Sequence, residues 1–183
     1  MSYAELASRI RVPAGFVLGA IYLIFSQPTP ARLFWGGAVA LAGILLRAAS
    51  AGFLRKNQSL ATGGPYAHTR NPLYLGTALA GTGFCIAGGR LWFFLLLAAF
   101  LAAVYWPVLQ KEEAHLRKIF PEYEAYARAV PAVIPRLLPW RGAGAPPNSF
   151  DVRQYLRNRE YEALLAYAAI LLALWAKMTW LAR

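Results

Sequence analysis

The sequence predicts an all-α protein, a polytopic membrane bundle of about five transmembrane helices. Of its 183 residues, 58% are hydrophobic, whereas soluble domains are about 45–50% apolar. The apolar residues form separate runs close to the roughly 20 residues that a helix needs to cross a bilayer. Only 15% of the residues are charged, and most of them flank these runs. We therefore expect much of the apolar surface to face lipid.

Five apolar runs justify the number of helices. The connection after the first run contains Pro28 and Pro30, and the turn after the third contains Gly88 and Gly89. Prolines and glycines of this kind separate helices because they favour turns over helix interiors. The predicted spans cover residues 12–26, 33–54, 73–87, 91–109 and 163–181.

Prolines also set the expected helix boundaries. Asn71 followed by Pro72 predicts an N-cap and a proline at the first helical position of the third span. Pro107 lies inside the fourth helix and should bend it about one turn before Lys111. Pro121 should stop one polar-region helix and open the next.

A proline-rich stretch at residues 145–148 indicates a linker. We therefore predict two units, a membrane core over residues 1–140 and a linker plus a C-terminal transmembrane helix over residues 141–183. Residues 148–183 would then form an appendage that is separable from the core.

The distribution of basic residues predicts the orientation of the protein in the membrane. If the polar stretches 55–72 and 111–162 face the cytosol, 14 of the 19 basic residues lie on that side, with Arg47 inside the membrane. The far side holds the other four, which are Arg32, Arg90, Lys177 and Arg183. Because cytosolic loops are enriched in Lys and Arg, we expect an integral membrane protein with a cytosolic N-terminus and a C-terminus on the opposite side.

The composition also argues against several classes of function. The net charge of +11 does not indicate nucleic-acid binding, because the basic residues flank apolar runs instead of forming one face. Cys85 is the sole cysteine and lies in an apolar run, which excludes a disulfide framework. His68 and His115 are the sole histidines and have no third ligand in a suitable pattern, so we predict no metal site.

Residues 63–76 form the first polar segment with potential chemistry. It is a Gly/Pro turn that enters the capped third span, with Arg70 just before the helix. Backbone N–H groups at such a helix start favour anions, and Arg70 adds positive charge. An ordinary interfacial loop, in which Arg70 and Tyr74 only anchor the helix, explains the same pattern.

Glu112 and Glu113 follow the fourth span directly and are the second candidate. Adjacent residues on a helix point about 100° apart, so the two carboxylates cannot act as an acid–base pair on one substrate. One of them could face a ligand while the other pairs with Arg or Lys. The alternative is a solvated helix end.

Arg47 is the one charge within the second apolar run. An intramembrane charge is costly and is a functional candidate by default. However, Arg47 is close enough to the cytosolic end for its side chain to reach the interface instead.

Together the two segments resemble a known family. Gly64-Pro65-Tyr66 with Arg70-Asn71-Pro72-Leu73-Tyr74-Leu75-Gly76 is similar to the signature of the isoprenylcysteine carboxyl methyltransferase family. Glu112-Glu113 followed by Leu116, Phe120, Tyr123, Tyr126 and Val130-Pro131…Ile134-Pro135 extends the resemblance over roughly residues 33–137. The related phospholipid N-methyltransferases share this outline. Residues 1–140 would then be a methyltransferase core.

The resemblance implies a cytosolic site for S-adenosylmethionine, with S-adenosylhomocysteine as the product. The loop that enters the third helix and the acidic end of the fourth should meet around the cofactor. The implied cofactor contacts are Tyr66, His68, Arg70, Asn71, Pro72, Tyr74, Gly76, Glu112 and Glu113. The implied substrate contacts are Arg47, Tyr126 and Arg128, with Glu113 and Arg128 as catalytic residues.

This sequence departs from the family pattern at two places. Relatives often have His where Asn71 stands, and an arginine after the Val-Pro at 130–131 that is missing here. Asn cannot titrate near neutrality as His does, which argues against a base at position 71. Arg128 or Arg136 would replace the missing positive charge.

The expected substrate is a lipid or a prenylated small molecule that reaches the site from the membrane. A carboxylate acceptor needs only a cation such as Arg128, whereas an amine must lose a proton, with Glu113 or His68 as the possible base. We expect carboxyl O-methylation of an isoprenylcysteine-like molecule. Phospholipid amine methylation, a sterol-type NADPH reductase and a non-enzymatic membrane subunit remain alternatives. The sequence leaves the oligomeric state open.

Overall fold

The computed structural model describes residues 3–142 and 149–181, and throughout this part of the chain the regular elements are helical. The predicted linker at 145–148 and the far-side Arg183 lie outside the described residues. The helices are α1 Tyr3–Phe25, α2 Pro30–Ala51, α3 Pro72–Gly88, α4 Trp92–Phe100, α5 Trp106–Ile119, α6 Tyr123–Ala129, α7 Val152–Arg157 and α8 Tyr161–Leu181. The predicted all-α class is confirmed.

Four helices of the described chain are long and apolar enough to cross a membrane. They are Glu5–Phe25, Pro30–Ala51, Trp92–Ile119 and Tyr161–Trp180. Helix α3 is also apolar but spans 17 residues, at the short end of the range for a membrane span. Four long apolar helices indicate a polytopic membrane protein.

The first two helices differ in length from the predicted spans. Helix α1 begins at Tyr3 and continues through Pro13, so it adds polar residues to the predicted apolar run. Helix α2 ends at Ala51 and is followed by Gly52 at its C-cap. The apolar pattern reports the lipid-facing part of a helix, and a helix continues beyond it wherever backbone hydrogen bonds persist.

Helices α2 and α3 pack through small residues. A Cβ atom added to Gly43 would overlap Ala80 N and Gly76 O, and one added to Gly83 would overlap Ala40 N and Gly36 O. The two backbones are therefore in direct contact, as in the small-residue interfaces of membrane helices. This contact fixes the start of α3 against the end of α2, where the polar residues lie.

A π-helical turn at Leu101–Tyr105 joins α4 to α5, directly before the proline at which a bend was expected. Pro107 has no N–H group, so it cannot donate to the carbonyl of Ala103 four residues earlier. The Tyr3 hydroxyl donates to this Ala103 carbonyl at 2.7 Å. Thus α1 supplies the hydrogen bond that Pro107 removes.

The two short connections meet at one end of the bundle. Gln27 N–H donates to Gly88 O at 2.7 Å. At the same end, Lys177 Nζ donates to Leu23 O and Ile24 O, both at 2.7 Å, which satisfies the last carbonyls of α1. The described parts of the polar stretches lie at the other end, as the predicted topology requires. Which end faces the cytosol remains a prediction.

The C-terminal segment packs directly against α2. Asn158 Nδ2 donates to Ala51 O at 2.9 Å and to Leu54 O at 3.0 Å. Farther along, the Tyr167 hydroxyl donates to Gly37 O at 3.1 Å. The division at residue 140 remains a prediction, but these contacts join residues 149–181 closely to the core instead of leaving them as a separate appendage.

Candidate active site

Backbone hydrogen bonds hold the loop before α3 against the segment after α6. Arg70 N–H donates to Pro131 O, and Arg136 N–H donates to His68 O, each at 2.9 Å. The Thr69 hydroxyl is buried and lies 3.1 Å from the carbonyl oxygens of both Ala132 and Val133. Residues 130–135 and Arg136 therefore fix the backbone on both sides of Arg70 through hydrogen bonds.

A small buried cluster lies beneath this loop. Its members are Leu60, Tyr123, Tyr126 and Val130, and both tyrosines are 1% exposed. The Tyr126 hydroxyl donates to the backbone carbonyl of Tyr66 at 2.7 Å. Burial raises the pKa of the Tyr66 and Tyr126 hydroxyls, so both stay protonated. The hydrogen bond joins α6 to the 3₁₀ turn Gly64–Ala67.

The two sequence motifs meet at an ion pair. Arg70 Nη1 lies 3.3 Å from Glu113 Oε2 and 3.3 Å from the Tyr123 hydroxyl. Asn71 Nδ2 donates to Glu113 Oε1 at 3.1 Å and to Ala132 O at 3.0 Å. Asn71 therefore occupies the predicted N-cap position of α3, but its side chain bonds to Glu113 instead of capping the helix.

The two adjacent carboxylates have different surroundings. Glu113 turns to the loop, where Arg70 and Asn71 bind it, and its side chain is 16% exposed. Glu112 instead lines a cavity between the helices. Neighbouring residues on a helix point about 100° apart, so the two carboxylates were expected to face different surroundings.

The cavity has a volume of about 680 Å³ and opens at the polar end of the bundle. Helices α1, α2, α3 and α5 and the stretch 54–61 enclose it. Its charged lining residues are mostly basic: Arg11, Arg47, Arg55, Lys56, Arg70, Lys111, Glu112 and Glu160. Its aromatic lining residues are Tyr66, Tyr74, Tyr105, Phe120, Tyr123 and Tyr126.

A buried polar atom in the described lining, Arg70 Nε, has no hydrogen-bond partner in the protein. The Tyr74 hydroxyl lies beside the Glu112 carboxylate, which acts on it through its charge and through a side-chain hydrogen bond. Leaving a buried donor unsatisfied costs about 1–3 kcal/mol. A polar ligand that accepts a hydrogen bond from Arg70 Nε would remove this cost.

A second cavity of about 420 Å³ lies next to the first, on the apolar side of the bundle. Arg47, Thr77 and Tyr105 line both cavities. The remaining lining is almost entirely apolar and includes Leu18, Ile44, Phe84, Phe93, Leu97 and Phe100. We call the first cavity the polar chamber and the second the apolar chamber. Their shared boundary, lined by Arg47, Thr77 and Tyr105, is the junction.

Several predicted site residues lie outside the cavity lining. Pro72 is buried at the start of α3, and Gly76 packs against Arg47 and Gly43 O. Arg128 is exposed on α6, so the predicted catalytic and substrate-binding role of Arg128 is not supported by its position. Asn71 and Glu113 also lie behind the lining and support it through Arg70.

His68 is the histidine that the resemblance implied for a cofactor contact and that we considered as a base. Its Nδ1 lies 2.8 Å from Arg136 O, and it does not line the cavity. His115 lines the cavity rim, and its Nε2 lies 3.3 Å from Asn57 Oδ1. Within residues 3–142 and 149–181, no three His, Cys, Asp or Glu side chains come together to hold a metal ion.

Sequence reasoning missed Glu160, which lies directly before α8. Arg47 Nε and Nη2 donate to the two Glu160 carboxylate oxygens at 3.0 and 2.7 Å. The signal was available in principle, because a charge inside an apolar run requires a partner. The acidic residues before the last span were the candidates for that partner.

Part of this chain is similar to known proteins. Residues 38–123 match the family model described as phospholipid methyltransferase. The chain is 40% identical over 88 residues to the cobalt-zinc-cadmium resistance protein CzcN of Cupriavidus metallidurans, which is 48% of this chain and 41% of the relative. It is 36% identical over 83 residues to the nickel-cobalt-cadmium resistance protein NccN of Alcaligenes xylosoxydans xylosoxydans, which is 45% of this chain and 39% of that relative. The aligned part thus spans about two fifths of each relative, and no solved structure matches the chain.

Proposed function

We propose that this chain, whose residues 38–123 match the family model described as phospholipid methyltransferase, is an integral membrane methyltransferase that uses S-adenosylmethionine. The observation that carries this proposal is the polar chamber in which the loop before α3 meets the end of α5. Arg70 Nε lacks a hydrogen-bond partner there. This donor comes from the motif that resembled a methyltransferase signature.

The residues of this chamber fit such a cofactor. Arg70 and the basic rim suit its carboxylate, whereas Glu112 suits its ammonium group and positive sulfur. The buried tyrosines, with Tyr66 among them, offer flat apolar faces to the adenine ring. When bound, S-adenosylmethionine supplies a methyl group whose bond to sulfur breaks as the acceptor's electron pair forms the new bond, and S-adenosylhomocysteine leaves.

We propose that α3 is a fifth membrane span and that the polar chamber faces the cytosol. Helix α3 packs backbone to backbone on α2, so its 17 residues lie at the same depth as a helix that is long enough to cross. The excess of basic residues at the polar end supports the cytosolic orientation.

The acceptor that fits the two chambers is an amphiphile from the membrane. Its apolar chain would occupy the apolar chamber, and its head group would reach the junction beside the cofactor. A prenylated carboxylate and a phospholipid amine both have this shape.

The chain's own residues would accelerate the reaction mainly by positioning. Enclosure by α1, α2, α3 and α5 limits water, and a fixed geometry brings acceptor and methyl group together. An acceptor that carries a proton must release it. Glu113 is bound to Arg70 and Asn71, and both oxygens of Glu160 are bound to Arg47. His68 faces Arg136. Glu112 is therefore the lining carboxylate that we expect to accept that proton.

Calorimetry on the full chain in an uncharged detergent tests the proposal. We expect S-adenosylhomocysteine and S-adenosylmethionine to bind and NADPH not to bind. Selective binding of NADPH would support a reductase instead, and no binding of any of the three would reject a nucleotide-dependent enzyme. Transfer of a labelled methyl group to added lipids then measures activity.

Replacing Glu112 with glutamine should weaken S-adenosylmethionine binding about tenfold, which corresponds to about 1.4 kcal/mol. The substitution keeps the size of the side chain but removes the negative charge that faces the chamber. The matched control is Glu122→Gln, because Glu122 is exposed outside the cavity and its replacement should leave the affinity unchanged. Equal affinities of both variants and the unaltered chain would remove Glu112 from the site.

A further inference from the structure

The Arg47–Glu160 pair lies where the two chambers meet. Arg47 lines both chambers, and Glu160 lines the polar chamber. Their side chains are 24% and 12% exposed, so the pair is largely shielded from water. Glu160 also lies outside residues 38–123, the part that matches the family.

Four of the five N–H donors of Arg47 are engaged. Its Nε and Nη2 donate to Glu160, and its Nη1 donates to the Thr77 hydroxyl and to Leu73 O. The Glu160 carboxylate has about four lone-pair positions, and each of its oxygens accepts one of these bonds from Arg47. About two lone-pair positions of Glu160 and one Nη2 hydrogen of Arg47 are then left, so the free hydrogen-bonding capacity of the pair is mainly for accepting bonds and belongs mainly to Glu160.

Head-group charge decides what this junction can hold. Arg47 is the charged residue that lines both chambers, whereas the other basic lining residues belong to the polar chamber alone. At the junction, an anionic head group would therefore have to displace Glu160 from Arg47 or bring a second negative charge beside it. Both are costly in a site with little water, since like charges repel strongly there and separating a buried pair strands a charge. A head group that donates hydrogen bonds and is neutral or positive meets neither cost.

We propose that Glu160 is a specificity-determining residue that occupies Arg47 and so excludes anionic head groups from the junction. The chain then selects membrane amphiphiles with a neutral or cationic head group that donates hydrogen bonds. This inference rests on the proposed function only in treating the junction as the position of the acceptor's head group. The inference also gives the C-terminal segment a function, because Glu160 lies in this segment, directly before α8.

The Arg47–Glu160 contact would also be present if its role were only structural, to hold the C-terminal segment against α2. The substitution Glu160→Gln distinguishes this structural role from selection of the head group. Glutamine has the same shape and its Oε1 accepts a hydrogen bond from Arg47, so the tie is kept. The negative charge is lost, however, and Arg47 becomes a partner for an anionic head group.

The experiment measures binding of dodecylamine and dodecanoate to the full chain in an uncharged detergent at neutral pH. The unaltered protein should bind dodecylamine at least tenfold more tightly than dodecanoate. Glu160→Gln should reverse this order, with dodecanoate gaining about tenfold and dodecylamine losing about tenfold. Glu162→Gln is the matched control, because Glu162 is exposed and pairs with Arg159, and it should keep the original order.

The neutral double variant Arg47→Gln with Glu160→Gln covers the case in which the single variant does not fold. It should bind the two amphiphiles with nearly equal affinity. The inference is overturned if the unaltered protein prefers dodecanoate or binds neither probe, or if the order is the same with and without Glu160. Binding of S-adenosylhomocysteine is measured in parallel, so that loss of the head-group preference and failure of the methyltransferase proposal are separate results.

Discussion

Replacing Arg70 with alanine should reduce the affinity for S-adenosylhomocysteine at least about 100-fold, which corresponds to about 2.7 kcal/mol. Arg70 presents an unpartnered Nε atom in the polar chamber and holds Glu113 at 3.3 Å and the Tyr123 hydroxyl at 3.3 Å. The substitution removes a charged donor from the site and also leaves the Glu113 carboxylate without its cation. Hydrogen bonds to charged groups contribute about 1.5–3 kcal/mol each, so the loss of one such bond plus the disorder of the loop accounts for the expected effect.

A second variant distinguishes ligand contact from support of the loop. Arg70→Lys keeps a positive charge for Glu113 but lacks the planar guanidinium with its Nε donor. If Arg70 contacts the ligand, the lysine variant should fold as the unaltered chain does and still bind S-adenosylhomocysteine at least about tenfold more weakly. Full affinity in the lysine variant would limit Arg70 to a structural role.

Arg128→Ala provides the control for both variants. Arg128 is exposed on α6 and outside the cavity lining, although it stands close in sequence to the same buried cluster. Its replacement should leave binding within a factor of two. Circular dichroism and size-exclusion profiles of all three variants show whether a loss of binding reflects a loss of fold.

The sequence predicts the meeting of the two motifs because local signals suffice for it. Asn71-Pro72 fixes the start of α3, and the end of the fourth apolar run fixes Glu112 and Glu113. Antiparallel helices joined by a short turn bring these two ends to the same side of the bundle. The Arg70–Glu113 ion pair follows from that topology and from opposite charge.

The remaining site residues depend on contacts between distant parts of the chain. Glu160 reaches Arg47 because α8 lies beside α2, and no local pattern gives the neighbours of a helix in a bundle. The periodicity of α5 likewise shows that Glu112 and Glu113 diverge but not which of them faces the chamber. Arg128 was assigned to substrate from resemblance alone, and the short helix α6 turns it to the exposed surface.

Residues that only pack decide whether the chamber forms, and Gly43 is the clearest case. Replacing it with leucine should lower the stability of the protein by about 3 kcal/mol or more, at the upper end of the range for overpacked sites. The first side-chain atom would already overlap Ala80 N and Gly76 O. These are backbone atoms of α3, so they cannot rotate away, and the two helices would have to separate.

The control for Gly43→Leu is Gly15→Leu. Gly15 lies within α1, and a Cβ atom added there meets nothing within 4 Å. Both substitutions replace a glycine inside a helix with the same better helix former, so they differ mainly in the space around the new side chain. Thermal unfolding in detergent should show a midpoint about 10 °C lower for Gly43→Leu and no decrease for Gly15→Leu.

Separation of α2 and α3 should also weaken ligand binding. Helix α2 carries Arg47, α3 carries Thr77, and Arg70 lies just before the N-cap of α3. At temperatures where Gly43→Leu remains folded, we expect it to bind S-adenosylhomocysteine at least about tenfold more weakly, although Gly43 itself does not line the polar chamber. Unchanged affinity together with a lowered midpoint would mean that the chamber tolerates movement of α3. Because a rigid α2–α3 contact is what holds the junction pair and the loop in one frame, the joint loss of stability and binding is the result that this packing predicts.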